Sequence, residues 1–427
     1  MRFVHIADVH LDTSFASRSE RVRRRLRQAS REAFAAAVDL AVREQVHALL
    51  VAGDLFDGDR LSFQTERFLL EQAARLGQAG ITMVYATGNH DPGRGGGRHR
   101  RIEWPAHVVV ADDARPVRAP IPGGGPASNG SPGERTVGYV TAVGHATSAI
   151  TDDLSRLFPP PEGHLPEVAL LHTQVRTSPG SERHDPYAPS DLARLIRAGF
   201  DYWALGHVHV RQTLSDDPPV AYPGNIQGRT PIDTGPRGGL LVDLGDPARP
   251  RIDFHELAPV RWETLVLEEI DEAGTLDRLE HVAVAAWRAA RAADPGAPGT
   301  EWMVRVVLQG ATPLWRELES EENRNELAEE LTASLDALDV DVVADGLHPP
   351  VNLAEHRQRP DVLGEALRMV EAIRRGELRL EGLEPDALAG LKSADPDVVA
   401  NYVRTLLADA DGEVATRLLA KLEGAGP

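Results

Sequence analysis

The chain has 427 residues, a net charge of −19 and no cysteine. That length implies roughly two or three domains. The missing thiols exclude disulfides, zinc fingers and cysteine catalysis, leaving His, Asp, Glu and Asn as metal ligands, and the acidic balance argues against unaided, non-specific nucleic-acid binding.

Met1–Ala7 reads as a buried strand, because Phe3, Val4 and Ile6 lie in an apolar run without strict alternation. A helix follows from about Glu20, with Val22, Leu26, Ala29, Ala33 and Ala37 on one face. Val46–Ala52 is the next strand, Ser62–Leu76 a helix and Ile81–Thr87 a strand. This rhythm predicts helices packed on a sheet, an α/β fold. Further strands are expected at His107–Ala111, Val137–Val143, Glu167–His172, Tyr202–Leu205 and Gly239–Val242. Pro116–Gly133, dense in Gly, Pro and Ser, reads as a flexible surface loop.

The pattern changes near Pro259. Strands at Thr264–Glu268, Met303–Leu308 and Val340–Ala344 alternate with helices over roughly Gly274–Ala293 and Leu314–Leu338, a small α+β module. The Pro349–Pro350 pair marks a second boundary. Beyond it a helical tail carries an apolar stripe of Leu363, Leu367, Val370 and Ile373, and later Val398, Val399, Val403, Leu406 and Leu407. The expected organisation is therefore 1–258, 259–348 and 349–427. No window is long and apolar enough for a membrane span, and the start lacks a basic segment leading into an apolar one, so a soluble cytoplasmic protein is expected.

Five short segments each end a predicted strand: Asp8-Val9-His10, Gly53-Asp54-Leu55-Phe56-Asp57, Gly88-Asn89-His90-Asp91, His172, and Gly206-His207-Val208-His209. Residues just past the carboxyl ends of strands converge at one edge of an α/β sheet. Two neighbouring divalent ions need a bridging anion, and Asp54 is the candidate. Imidazole with carboxylate suits Mn, Fe or Zn; we expect two ions and Mn²⁺ as their identity. In an extended segment residues i and i+2 share a side, so both members of Asp-x-His and of His-x-His can reach one cluster. Each segment alone is weak, since eleven of the sixteen histidines lie outside the set. All five in order are a strong signal.

Together the segments resemble the metallophosphoesterase signature, D-x-H, G-D-x-x-D, G-N-H-[DE], H, G-H-x-H. Within that calcineurin-like superfamily the chain resembles the SbcD-type DNA repair nucleases and more closely the YhaO-type exonucleases. The GDLFD form of Gly53–Asp57, the segment Tyr222-Pro223-Gly224-Asn225-Ile226-Gln227-Gly228-Arg229, and Val260-Arg261-Trp262 carry that likeness. The resemblance implies a metallophosphoesterase-type β-sandwich flanked by helices, then a capping domain and a helical tail. It implies one ion on Asp8, His10, Asp54 and His209, and a second on Asp54, Asn89, His172 and His207. His90 would be the general acid, oriented by Asp91.

The expected reaction is phosphodiester hydrolysis by a metal-bound hydroxide, at a DNA end and in DNA repair. Arg94, Arg98, Arg100 and Arg101 form a candidate contact to the DNA backbone. Arg21, Arg23, Arg24, Arg25 and Arg27 read as a solvated helix face. The resemblance further implies an SbcC-type, SMC-like ATPase partner, for which the tail stripe is a candidate docking face, and a homodimer. Two alternatives stay open: a small-molecule phosphodiesterase or phosphatase, and a protein that is mainly a binding component of the ATPase complex.

Overall fold

The computed structural model describes residues 1–58, 61–94, 101–123, 135–176, 178–180, 187–246, 250–350, 352–378, 402, 405–407 and 410–424. They form two compact units, Met1–Trp262 with Gly296–Glu301, and Glu263–Pro295 with Trp302–Pro427. Most residues of the expected capping module (259–348) lie together with those of the expected tail in the second unit, while 259–262 and 296–301 fall in the first.

The first unit is built on two six-stranded sheets. One contains β1 (Arg2–Ile6), β2 (Ala48–Ala52), β3 (Thr82–Ala86) and β4 (Val108–Ala111), all parallel, extended beyond β1 by antiparallel β11 (Gly238–Asp243) and β12 (Arg251–Glu256). The other runs β5 (Val117–Pro122), β6 (Thr136–Val143), β7 (Glu167–His172), β8 (Tyr202–Gly206), β10 (Pro219–Tyr222), β9 (Gln212–Asp216), with β6, β7, β8 and β10 parallel.

Alternation along β2 shows how the layers form. Ala48, Leu50 and Ala52 face the core shared with the second sheet, where Val140, Ala142, Val168, Leu170, Tyr202 and Ala204 lie. Leu49 and Val51 face α1 (Glu20–Arg43) and α2 (Phe63–Gln78), meeting Phe34, Val38, Leu69 and Ala73. Both helices start at a serine, since the side chains of Ser19 and Ser62 accept hydrogen bonds from Val22 N and Thr65 N. The outer face of the second sheet packs Leu171, Trp203 and Leu205 with Leu195 of α3 (Leu192–Arg197). The expected β-sandwich flanked by helices is present.

Part of Pro116–Gly133, expected as a flexible loop, is the strand β5; residues 124–133 lie outside those described. Prolines fit there because β5 is an edge strand, where missing N–H donors are tolerated.

In the second unit β13 (Val260–Leu267), β14 (Glu301–Ala311) and β15 (Asp339–His348) form a three-stranded sheet. It packs through Val304, Val306 and Leu308 on α4 (Leu276–Ala293) and α5 (Glu321–Ser334), which supply Leu279, Trp287, Leu327 and Leu331. The helix expected over Leu314–Leu338 is broken: a 3-10 turn occupies Glu317–Glu319 and Ser320 is extended, φ −70° and ψ 126°. Burying Trp315 and Leu318 in the same core requires that break.

The tail supplies α6 (Leu353–Gln358), α7 (Val362–Arg374) and α8 (Ala410–Gly424). The stripe Leu363, Leu367, Val370 and Ile373 is buried, and Leu363 and Leu367 pack against Ala415 of α8. As a docking face for a partner the stripe is therefore corrected: it serves this chain's own core. Val398, Val399 and Val403 lie outside the described residues. Among the described residues no helix is long and apolar enough to cross a membrane.

Candidate metal centre

The chain leaves β1 through Ala7, which bridges Asn225, and reaches Asp8 and His10. Neither is extended. Asp8 has φ 51° and His10 φ 46°, and Asp54 (φ 51°) and His207 (φ 104°) also carry positive φ. The same-side alternation expected for Asp-x-His is thus not what aligns these side chains. The backbone turns left-handed at both, and pairing with the second segment holds it there: Asp8 N donates to Gly53 O (3.2 Å), His10 N to Asp54 O (2.9 Å) and Leu11 N to Leu55 O (2.9 Å). Gly53 has φ 85°, and a Cβ there would sit 2.2 Å from His172 Nδ1. At Gly88 a Cβ would sit 2.2 Å from Asp54 Oδ1, so close approach rather than turning demands glycine.

The seven expected ligands converge. Asp8, His10 and His209 present ligand atoms within 4.8 Å of one another, as do Asp8, Asp54 and His172. Asp54 Oδ2 lies 3.7 Å from His10 Nε2 and 3.4 Å from His172 Nε2, a position between the two halves of the cluster. Asn89 Oδ1 lies 2.9 Å from His172 Nε2 and 3.1 Å from His207 Nδ1. His209 Nε2 is 3.9 Å from Asp8 Oδ1. Several rings are anchored from behind. His172 Nδ1 meets the Ala52 carbonyl at 2.9 Å, and His209 Nδ1 faces Asp233 Oδ1 at 3.5 Å. Such partners fix which nitrogen points inward.

Electrostatics test whether cations belong here. Burial, then the charge of Asp54, raises the Asp8 carboxyl well above its ordinary range. Burial, then the charge of Asp91, pushes Asp54 up to about 7. Burial lowers His10 and His172 well below the usual imidazole range, and lowers His209. These are neutral imidazoles crowded against carboxylates that ionise reluctantly. His10 is 1% exposed, yet neither ring nitrogen has a hydrogen-bond partner. Asp57 Oδ1 lies 3.4 Å from its Nδ1, outside hydrogen-bond geometry. Orphaned buried nitrogens cost about 1–3 kcal/mol, and divalent cations would relieve both them and the carboxylate crowding. The donor set fits two hard-to-borderline ions.

His90 stands at the rim, its side chain 42% exposed and its ring 4.7 Å from that of His10. Its Nδ1 pairs with Asp57 Oδ1 at 3.1 Å. That hydrogen bond raises His90 above the usual imidazole range, against the effect of burial. Burial alone would raise Asp57, but His10, His90 and the charge of Arg229 hold it well below the usual carboxylate range.

Asp91 does not play the orienting part expected of it. One of its oxygens accepts from Leu55 N (2.6 Å), Phe56 N (3.2 Å) and Tyr85 Oη (2.5 Å), the other from Gly88 N (2.6 Å). Asp91 ties the second and third segments together, and Asp57 holds the His90 ring. Asp57 was visible as the last residue of GDLFD, without a pattern to assign its partner. Asp233 and Tyr85 had no site signal, because a supporting residue answers to position rather than to a motif, and Arg229 was visible only as the end of the segment Tyr222–Arg229, without a role.

Of the basic loop, Arg94 pairs with Asp113 at 3.2 Å and Arg101 is exposed, while Arg98 and Arg100 lie outside the described residues. On α1, Arg23 and Arg24 pair with Glu20, Arg25 with Glu32 and Glu301, and Arg27 donates to the carbonyls of Thr13 and Ser14. That run is spent on its own chain.

Residues 1–211 match the family model for calcineurin-like phosphoesterases. The chain is similar to the uncharacterized metallophosphoesterase YhaO of Bacillus subtilis, 33% identical over 321 residues that cover 74% of this chain and 73% of that one. It is also similar to the D component of the nuclease SbcCD of Rhodobacter capsulatus, with 29% identity covering 59% of this chain and 68% of that one. A third relative is the DNA double-strand break repair protein Mre11 of Methanopyrus kandleri, with 26% identity covering 61% and 57%.

Proposed function

The chain belongs to the calcineurin-like phosphoesterase family, metal-dependent hydrolases of phosphate esters, and from that premise we propose that it is a two-metal DNA exonuclease acting in DNA repair. The observation that carries the two-metal reading is the convergence of seven side chains from five strand ends around the orphaned ring of His10. The step from phosphoester to DNA draws support from the relatives named as nuclease and double-strand break repair proteins.

In this reading Asp8, His10, Asp54 and His209 hold one ion, and Asp54, Asn89, His172 and His207 the other, Mn²⁺ in both positions. Bound there, two divalent ions supply Lewis acidity toward the phosphoryl oxygens and activate water at neutral pH. The chain's own groups do the rest. Asp54, whose Oδ2 lies near both His10 and His172, would be the residue that serves both ions. Asp57 keeps a proton on His90, which delivers it to the departing sugar oxygen. Asp91 keeps the His90 segment locked to the Asp54 segment. Arg94, Arg98, Arg100 and Arg101 contact the DNA backbone in this reading, with Arg94 leaving Asp113 to do so.

An SbcC-type, SMC-like ATPase is proposed as partner, supported by the likeness to a component of SbcCD. A homodimer and a cytoplasmic location belong to the same proposal.

The test is digestion of end-labelled single- and double-stranded DNA with Mn²⁺, beside bis-p-nitrophenyl phosphate and a cyclic nucleotide. The expected result is progressive shortening of DNA from an end, lost on chelation. Robust hydrolysis of the small esters with DNA left intact would sink the nuclease reading and leave the small-molecule phosphodiesterase.

A further inference from the structure

Arg229 is a largely buried cation at the edge of the candidate metal centre, where it meets Asp57. Its backbone is unusually well fixed. It follows Asn225, Ile226 and Gln227, which are all buried. Gln227 Nε2 donates to Val260 O at 2.7 Å, Trp262 Nε1 donates to Gly228 O at 2.9 Å, and Arg229 N donates to Asp233 Oδ2 at 2.9 Å. Asp233 in turn faces His209, so the loop that carries Arg229 is tied directly to the metal cluster.

The guanidinium is under-used. Nη2 lies 3.0 Å from Asp57 Oδ1, an oxygen that His10 and His90 also approach. Nε is buried and has no hydrogen-bond partner. The side chain keeps 16% exposure, beside His90 at the rim.

We propose that Arg229 is a phosphate-binding residue: its planar fork takes non-bridging oxygens of the scissile phosphate while Asp57 holds it against His90. A forked guanidinium matches two phosphate oxygens at once. A fixed positive charge also stabilises the negative charge that builds on the phosphoryl group during in-line attack. This inference rests on the phosphoesterase reading above and adds a substrate contact to it.

The test uses the full chain loaded with Mn²⁺, as wild type, Arg229→Gln and Arg229→Lys. Three quantities are measured: metal ions per chain by elemental analysis, affinity for inorganic phosphate by calorimetry, and KM and kcat on bis-p-nitrophenyl phosphate. Arg229→Gln is expected to keep the wild-type metal content and lose phosphate affinity by about 10- to 100-fold, the loss of a charge-assisted contact. Its KM should rise, and Arg229→Lys should recover only part of the loss, since a point charge lacks the second parallel donor. Unchanged phosphate affinity in Arg229→Gln overturns the proposal. So does loss of metal from both variants, which would make Arg229 a support for the ligands instead. If Arg229→Gln fails to fold, Arg229→Lys decides by the same criteria. A wild-type protein that binds no divalent ion would overturn the phosphoesterase reading itself, a failure separable from that of Arg229.

Discussion

The two units spend conformational energy differently. In the first, Asp8, His10, Asp12, Phe15, Gln45, Asp54, Ala188 and His207 carry positive φ among the described non-glycine residues, and four of these eight are expected metal ligands. In the second, Asp336 alone among the described non-glycine residues does so, at an ordinary helix end just after α5. Left-handed backbone costs a non-glycine residue about 1–3 kcal/mol. The first unit can hold that strain because two sheets, α1 and α2 bury the strand ends that carry it. Among the described residues the second unit is scaffold: a three-stranded sheet and two helices around one apolar core, with the tail helices packed on a smaller apolar cluster of their own. Half of the strained positions described in the first unit are candidate ligands, whereas the strained position described in the second sits at a helix end.

The contrast is tested most sharply at Asp54. Asp54→Ala should reduce hydrolysis to background and remove both ions, read by elemental analysis; full metal content in this variant would deny that Asp54 is the shared ligand. His90→Ala should lower kcat by about 10²–10⁴-fold, the usual worth of a proton donor, while metal content stays near wild type. Loss of metal there would make His90 a ligand rather than an acid.

In the second unit, Leu331→Ala at a core position 1% exposed should cost about 2–5 kcal/mol in denaturant unfolding. Metal content and small-ester turnover should not change. A parallel loss of metal would show that the two units are not energetically separate.

Asp57→Asn should cost about 10- to 100-fold in activity, as supporting residues of metal sites do. The pH profile carries the sign. The hydrogen bond that His90 donates to Asp57 raises the His90 pKa, and the proposed acid must be protonated to act, so activity falls as pH rises through that pKa. Weakening the partner lowers the pKa, and the alkaline fall should move to lower pH. A profile that stays in place would separate Asp57 from His90.

The smallest effect concerns strain with no chemical use. Gln45 (φ 49°) and Asp336 (φ 51°) each follow a helix end. Gln45→Gly and Asp336→Gly should raise stability by about 0.5–1 kcal/mol, the relieved left-handed strain less the added chain entropy. Activity should be untouched.

How much of this was legible beforehand depended on burial. Central strands were visible because both faces are covered, so their residues form unbroken apolar runs, as in Ala48-Leu49-Leu50-Val51-Ala52. Of the missed strands, β5, β9 and β12 lie at sheet edges, where Arg251-Ile252-Asp253-Phe254-His255-Glu256 and Gln212-Thr213-Leu214-Ser215-Asp216 need no such run, whereas β10 is interior and buried but its four residues Pro219-Val220-Ala221-Tyr222 make too short an apolar run to stand out. The tail stripe was visible as an amphipathic pattern, but periodicity states only that a face is covered, not by what. Ala415 and its neighbours, far along the chain, supplied the cover.

At the metal centre the donor set could be read from the sequence, because coordination chemistry restricts residue types and strand ends restrict their place. Asp8, His10, Asp54, Asn89, His172, His207 and His209 stood out as candidates, and His90 as the group set apart. How those groups are held was settled in three dimensions. The left-handed turns at Asp8 and His10, the service of Asp57 to His90, the reassignment of Asp91 to the loop, and the arrival of Arg229 and Asp233 depend on segments brought together from distant parts of the chain. A ligand's identity follows from local chemistry, whereas the partner that orients it follows from the packing of the whole unit.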